Sequence, residues 1–212
     1  NTLLGAKIAK DGQWRFPESD SIPQKFKTCV LYFEDEYFYK HPGFNPISIF
    51  KAIKQNLASN EVKRGASTIT QQVIRLSRDG QKRTYLEKLK EFILATRIEL
   101  KYSKDKILSL YANHAPFGGN IVGLEAASWR YFNRSAHQLS WAESATLAVL
   151  PNAPSLIFPG KNQLLLLKKR NRLLKKLYQI KIIDQLTYDL AIAESLPGKP
   201  YRLPQLAPHL LQ

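Results

Sequence analysis

The sequence predicts a mainly α-helical domain. Apolar residues recur at helical spacing in several separate stretches, helix start and stop residues bracket those stretches, and strand signals are few. With 212 residues, 44% of them hydrophobic, the chain can bury one substantial core and is too short for two domains of ordinary size. It carries no internal repeat and no low-complexity tract.

The first thirty residues mix turn signals such as Asp11-Gly12 with short apolar and aromatic pieces around Trp14 and Phe16, so an irregular or two-stranded opening is expected. Asn45 followed by Pro46 reads as a helix start, and Ile47, Phe50, Ile53 and Leu57 continue at helical spacing until Ser59 and Asn60 break the pattern. Residues 59–66 are polar, charged and glycine-containing, and read as a mobile loop between two helices. Over residues 83–100, Leu86, Leu89, Ile93 and Leu100 fall near one face, which predicts a long helix docked on the core through that face. Ser140 with Glu143 three positions on forms a capping box ahead of Ala145, Leu147, Ala148 and Leu150, and Pro151 closes the helix. That element is expected to be deeply buried. Residues 164–178 read as a basic amphipathic helix and 184–195 as a shorter one, before Pro197, Pro200, Pro204 and Pro208 mark a linker-like exit.

The charge balance is lopsided: 32 Lys and Arg stand against 17 Asp and Glu, a net +15. An anionic partner follows, and nucleic acid, an acidic bilayer surface and a phosphorylated small substrate all satisfy it. Cys29 is the only cysteine, which excludes an intramolecular disulfide and zinc sites built from several thiolates. No apolar run reaches the roughly 18 residues of a membrane span, and no signal peptide opens the chain. The start at Asn1 and the apolar end at Leu211 and Gln212 suggest a domain cut from a longer polypeptide.

Three clusters can carry chemistry. In Glu34-Asp35-Glu36, followed by Tyr37, Phe38, Tyr39, His41, Pro42 and Gly43, adjacent carboxylates repel one another beside apolar rings that desolvate them. At least one is expected to have a raised pKa suited to proton transfer. The plainer reading is a helix C-terminus with solvated acids, although acids there oppose the helix dipole. In Gly65-Ala66-Ser67-Thr68-Ile69-Thr70-Gln71-Gln72, Ser67 or Thr68 can cap a helix, leaving amides and backbone N–H groups to hold sugar hydroxyls or a phosphate. An ordinary cap with surface glutamines is the alternative. Finally, Arg83, Lys90 and Arg97 lie seven residues apart and drift only about 20° per heptad, forming one cationic stripe suited to a diphosphate or merely to solvent. Glu87, four residues after Arg83, can pair with it. Downstream, Tyr111-Ala112-Asn113, Phe117-Gly118-Gly119-Asn120 and Gly123 suggest a loop with close backbone approach.

Taken in order, these residues resemble glycosyltransferase family 51, the peptidoglycan glycosyltransferase domain of class A penicillin-binding proteins. Glu34-Asp35 with Phe38, His41 and Gly43 is similar to its first signature, Gly65 to Gln72 to its second, and Lys88 with Glu91 to its third. Tyr111 to Phe132 is similar to the fourth and Glu143 to Ser155 to the fifth. Residues 12–17 and Ala207-Pro208-His209 look most like the 1C branch.

The resemblance implies a lysozyme-like, bilobal fold with few short strands and a smaller, membrane-dipping lobe to which residues 47–57 would belong. It implies polymerisation of lipid II: a sugar hydroxyl of the acceptor attacks the anomeric carbon of the lipid-linked growing glycan, with inversion and release of undecaprenyl diphosphate. It assigns Glu34 as general base and Glu91 as the second catalytic acid, assisting the departing diphosphate through neighbouring cations or a divalent metal, Mg or Mn, held at Glu91. No organic cofactor is expected. Asp35, Phe38, His41, Ser67, Thr68, Gln71, Gln72, Arg75, Arg83, Lys88, Lys90, Arg97 and Asn113 match substrate-binding positions. The pattern is broken where Glu87 replaces the usual Arg of the third motif and where Ala112 and Pro116 replace the usual Leu and Tyr of the fourth.

The implied organisation is an opening segment, 1–28, after a membrane-anchoring helix absent from this chain; a glycosyltransferase domain, 29–196; and an exit linker, 197–212, toward a fused transpeptidase domain. The implied location is the outer, periplasmic face of the bacterial cytoplasmic membrane, with the membrane surface and lipid II as partners and no nucleic acid. Two other functions compete. A muramidase would also set carboxylates against a sugar bond but needs a positioned water and no cationic stripe, and a basic nucleic-acid-binding module would bind with steep salt dependence.

Overall fold

Five helices start where a side chain, that of Thr68, Thr84, Ser103, Ser140 or Asp184, accepts from a first-turn backbone N–H group. The computed structural model describes residues 8–46, 67–78 and 84–203. The helix expected over 47–57, the loop expected over 59–66, and Arg83 lie outside the described residues. Among those described, the α-helices are α1 (Gln24–Glu34), α2 (Ile69–Leu76), α3 (Tyr85–Lys101), α4 (Lys104–His114), α5 (Leu124–Phe132), α6 (Trp141–Val149), α7 (Gln163–Gln179) and α8 (Gln185–Ala193). Extended pairing is confined, among the same residues, to isolated bridges such as Trp14 with Ile121 and Pro116 with Val122. The mainly α class is the observed one.

The chain divides into two compact units, one comprising residues 1–33 and 112–212, the other Glu34–Tyr111. The first is built around α6. Its capping box is formed as expected, Ser140 N donating to Glu143 Oε2 at 2.9 Å and Glu143 N to Ser140 Oγ at 3.0 Å. Every residue from Ala142 to Val149 is buried, and α6 packs on α5, α7 and α8. On α7, buried Arg170 donates to Ile192 O and Glu194 O and so satisfies carbonyls at the end of α8. The opening segment is held by main-chain bonds, Trp14 N donating to Asn120 O at 2.7 Å and Val122 N to Trp14 O at 3.0 Å. Gly123, at φ +91°, allows this turn: a Cβ there would lie 2.8 Å from Asn113 O.

Two expectations are corrected. The segment before residue 30 is not irregular throughout, because α1 begins at Gln24. Its apolar residues Phe26, Cys29, Val30 and Phe33 stand at the i, i+3, i+4 and i+7 spacing of a helix, so a signal was present in the sequence and was missed. The helix predicted over 83–100 exists as α3, capped by Thr84, but not docked as predicted. Leu86, Leu89, Ile93 and Leu100 are 71%, 58%, 55% and 85% exposed. The packed face carries Lys88, Glu91, Ala95 and Glu99 instead, whose polar groups find partners on α2 and α4. Satisfied polar contacts and one small residue serve where the pattern suggested leucines.

Candidate active site

The second unit contains both candidate acids. Glu34 is the last residue of α1, and its Oε2 accepts from Gln72 Nε2 at 2.8 Å. An acid at a helix C-terminus lies against the dipole, so a directed donor from another helix is what fixes its direction. The three adjacent carboxylates separate by taking different surroundings. Asp35, 6% exposed, accepts from Ile69 N at 3.1 Å and meets His41 Nε2 at 2.9 Å, while Glu36 is exposed. The Asp35 carboxylate thereby compensates the free N–H end of α2. Phe38 is fully buried, its ring edge-on to His41 at 6.3 Å between centroids and under the Lys104 ammonium at 4.4 Å.

The tight turn after Phe38 brings Gly43 against α3. At φ +89°, a Cβ on Gly43 would stand 2.9 Å from both the carbonyl carbon and oxygen of Ala95, so only glycine fits. Gly43 O in turn accepts from Thr68 Oγ1 at 2.6 Å. Thr68 is the N-cap of α2 in a complete capping box: Gln71 N donates to its hydroxyl and Thr68 N donates to Gln71 Oε1, each at 3.2 Å. Thr68, Gln71 and Gln72 are all buried, so neither glutamine belongs to a solvated surface.

Lys88 ties α3 to this cap. Its ammonium donates to Ser67 Oγ at 2.8 Å, Glu91 Oε2 at 2.9 Å and Gln71 Oε1 at 3.3 Å. The adjacent side chains Gln71 and Gln72 therefore reach Lys88 with Glu91 on one hand and Glu34 on the other. Tyr111 closes the set. Burial pushes its phenol well above the usual range, the Glu34 carboxylate adds to that rise, and Arg75 offsets part of it. Among the described residues the Tyr111 hydroxyl, Gln71 Nε2 and His41 Nδ1 are buried without a hydrogen-bond partner.

Lys90, Arg97 and Asn113 do not join these contacts. Lys90 and Arg97 are exposed, and at about 100° per residue both lie roughly opposite Lys88 on α3. Glu87 does not merely weaken the stripe: it pairs with Arg78 at 2.7 Å and Lys90 at 2.8 Å, and the Lys90 bond is the main cause of its lowered pKa. Asn113 belongs to the first unit, bonding Ser19 through both its amide groups at 3.1 and 2.8 Å. For a metal, the donor set is poor. Glu91 is already matched by Lys88, and no group of three His, Cys, Asp or Glu side chains converges among the described residues. Those residues do not fit a protein-built divalent cage. Cys29 is buried and its thiol pushed up by burial, which removes it as a nucleophile.

Sequence reasoning missed Glu99, Thr70 and Lys104, which bond one another behind His41. One signal was available, since Lys104 is a cation at a helix start, where the dipole disfavours it.

Comparison with known proteins shows the family. A family model described as Transglycosylase matches residues 3–178. The chain is 38% identical to Penicillin-binding protein 1C of Escherichia coli (strain K12) over 199 residues, which is 93% of this chain and 26% of that protein. It is 36% identical to Penicillin-binding protein 1A of the same organism over 205 residues, 96% of this chain and 24% of that one. It thus spans about a quarter of the length of the curated relatives it matches. Among solved structures, Penicillin-Binding Protein 1A from Haemophilus influenzae superposes with a TM-score of 0.53 at 21% identity, covering 90% of this chain and 19% of that one, and so supports the fold.

Proposed function

The chain belongs to the transglycosylase family, as a peptidoglycan glycosyltransferase domain of the kind found in penicillin-binding proteins, and from that premise we propose that it polymerises lipid II by base-assisted transfer at Glu34. The acceptor's sugar hydroxyl loses its proton to Glu34 as its oxygen bonds the anomeric carbon of the lipid-linked glycan. The bond to undecaprenyl diphosphate breaks on the opposite face, with inversion, and the diphosphate leaves with the electron pair. General-base catalysis of this kind contributes about 10²–10⁴-fold. Lys88, oriented by Glu91, is the cation that meets the developing diphosphate charge. Glu91 thus assists departure through an ammonium.

One observation carries this reading: neighbouring glutamines of α2 couple the base, through Gln72, to the cation pair, through Gln71. A muramidase would have no use for the Lys88 pair, and a nucleic-acid module none for the half-buried Glu34–Gln72 bond.

The membrane surface is the proposed second partner. The exposed Leu86, Leu89, Ile93 and Leu100 share the outer side of α3 with Lys90 and Arg97, an apolar stripe flanked by cations that suits an anionic bilayer. No described helix is long and apolar enough to cross a membrane. We place the domain on the periplasmic side of the bacterial cytoplasmic membrane, in a longer protein with an N-terminal anchor and a transpeptidase domain. Fluorescent lipid II in detergent tests the activity: long glycan chains are expected, and release of short soluble glycan from preformed strands would favour hydrolysis instead.

A further inference from the structure

We infer that Lys104 and Glu99 are positioning residues of the transfer reaction, a closed ion pair that holds the His41–Asp35 turn and so aims Glu34. The inference rests on Glu34 being the base.

Lys104 opens α4, where a cation opposes the helix dipole. Its side chain is turned back on the turn that follows α1. The ammonium donates to His41 O at 2.7 Å and to Glu99 Oε1 at 2.8 Å, and lies 4.4 Å from the centre of the Phe38 ring. Glu99, whose side chain is 8% exposed, also accepts from Thr70 Oγ1 at 2.5 Å. The contacts form a circuit. From Asp35 it passes to Ile69 N, by the next residue Thr70 to Glu99, then to Lys104, to the His41 carbonyl, and back through His41 Nε2 to Asp35. Asp35 is the residue after Glu34, so the circuit fixes the backbone on which the base is carried.

Two features separate this role from binding or chemistry. None of the contacts that define the pair is to Glu34, Gln72, Lys88 or Glu91, so it is not proposed to touch the reacting atoms. Both members are largely enclosed, their side chains 19% and 8% exposed, so a bound sugar would not reach them. Their effect should pass through geometry alone, and small misplacement of a catalytic group is costly to rate.

The test uses the full chain and initial rates with fluorescent lipid II. Lys104→Met with Glu99→Leu replaces the pair by apolar groups of similar shape and leaves no unpaired charge, which folded proteins commonly tolerate. That double variant is expected to keep a cooperative melt, to lose about 10- to 100-fold in kcat, and to hold KM within about 2-fold. Lys104→Arg, which keeps the charge and the donors, is expected to recover most of the rate. Glu99→Gln, nearly isosteric, serves where the double variant does not fold, with a loss of about 5-fold or more in kcat at unchanged KM. A kcat within about 2-fold of the parent in either variant, or a loss appearing in KM alone, overturns the inference. If the parent chain makes no glycan at all, the activity assignment has failed; if the parent works and Glu34→Gln does not, while these variants run at the parent kcat, only the positioning role has failed.

Discussion

Gln72 Nε2 donates to Glu34 Oε2 across 2.8 Å, joining the end of α1 to the middle of α2. The bond leaves Glu34 acceptor-only at one oxygen and fixes its rotamer, as a general base requires before substrate arrives. Gln72→Leu is expected to lower kcat by about 10- to 100-fold with little change in KM, in initial-rate measurements on lipid II. Gln72→Glu should do worse, because a second carboxylate at that distance forces one of the two to keep its proton.

Lys88 is the cation on which the leaving-group half of the mechanism depends. Its removal in Lys88→Met is expected to reduce kcat by about 10²–10³-fold, the range seen when one preorganised charge stabiliser is lost. Lys88→Arg keeps the charge but changes its reach, and should retain an intermediate rate. Lys90→Met, on the opposite side of α3, serves as the control and should stay near the parent kcat.

The exposed stripe of α3 is predicted to act in membrane retention and not in folding. Leu89 and Ile93 are 58% and 55% exposed, so Leu89→Glu with Ile93→Glu should melt within a few degrees of the parent. Retention on vesicles containing anionic lipid, measured by co-sedimentation, should fall by about 10-fold or more, since apolar burial and charge attraction are both opposed. Unchanged retention would remove this face from the membrane contact.

What could be read from the sequence divides along physical lines. Local chemistry was legible: the capping box at Ser140, the cap at Ser67 or Thr68 and the helix start at Asp184 all depend on residues a few positions apart. The five ordered motifs located Glu34, Lys88 and Glu91. Which face of α3 is packed was not legible, because periodicity reports apolar spacing and not whether a core meets it. The true contact face is polar, and its partners Gln71, Thr70 and Lys104 are distant in sequence or on other helices. Spacing alone does not separate the two readings of the heptad row, because a regular row of cations is equally a solvated row.

Glu143 offers a pH test of the first unit's core. Burial raises its carboxyl above the usual range, outweighing the Ser140 N–H and Arg134, which lower it. An acid whose folded pKa exceeds its unfolded value binds protons more readily when folded, so stability rises as pH falls through that window and the cost of the charge is fully present at neutral pH. Glu143→Gln retains an oxygen for Ser140 N–H and drops the charge. Thermal melts should show the variant at least as stable as the parent at pH 7, with the gap narrowing as pH falls toward the usual carboxylate range. A parent more stable than Glu143→Gln at pH 7 would contradict this.

The assignment of Glu34 as the base is tested most directly by the polymerisation rate of Glu34→Gln, a substitution that preserves shape and removes the proton acceptor. With purified, cooperatively melting protein and fluorescent lipid II, the account predicts a fall in kcat of about 10²–10⁴-fold, with lipid II still bound. Glycan chains made at close to the parent rate by that variant would contradict it.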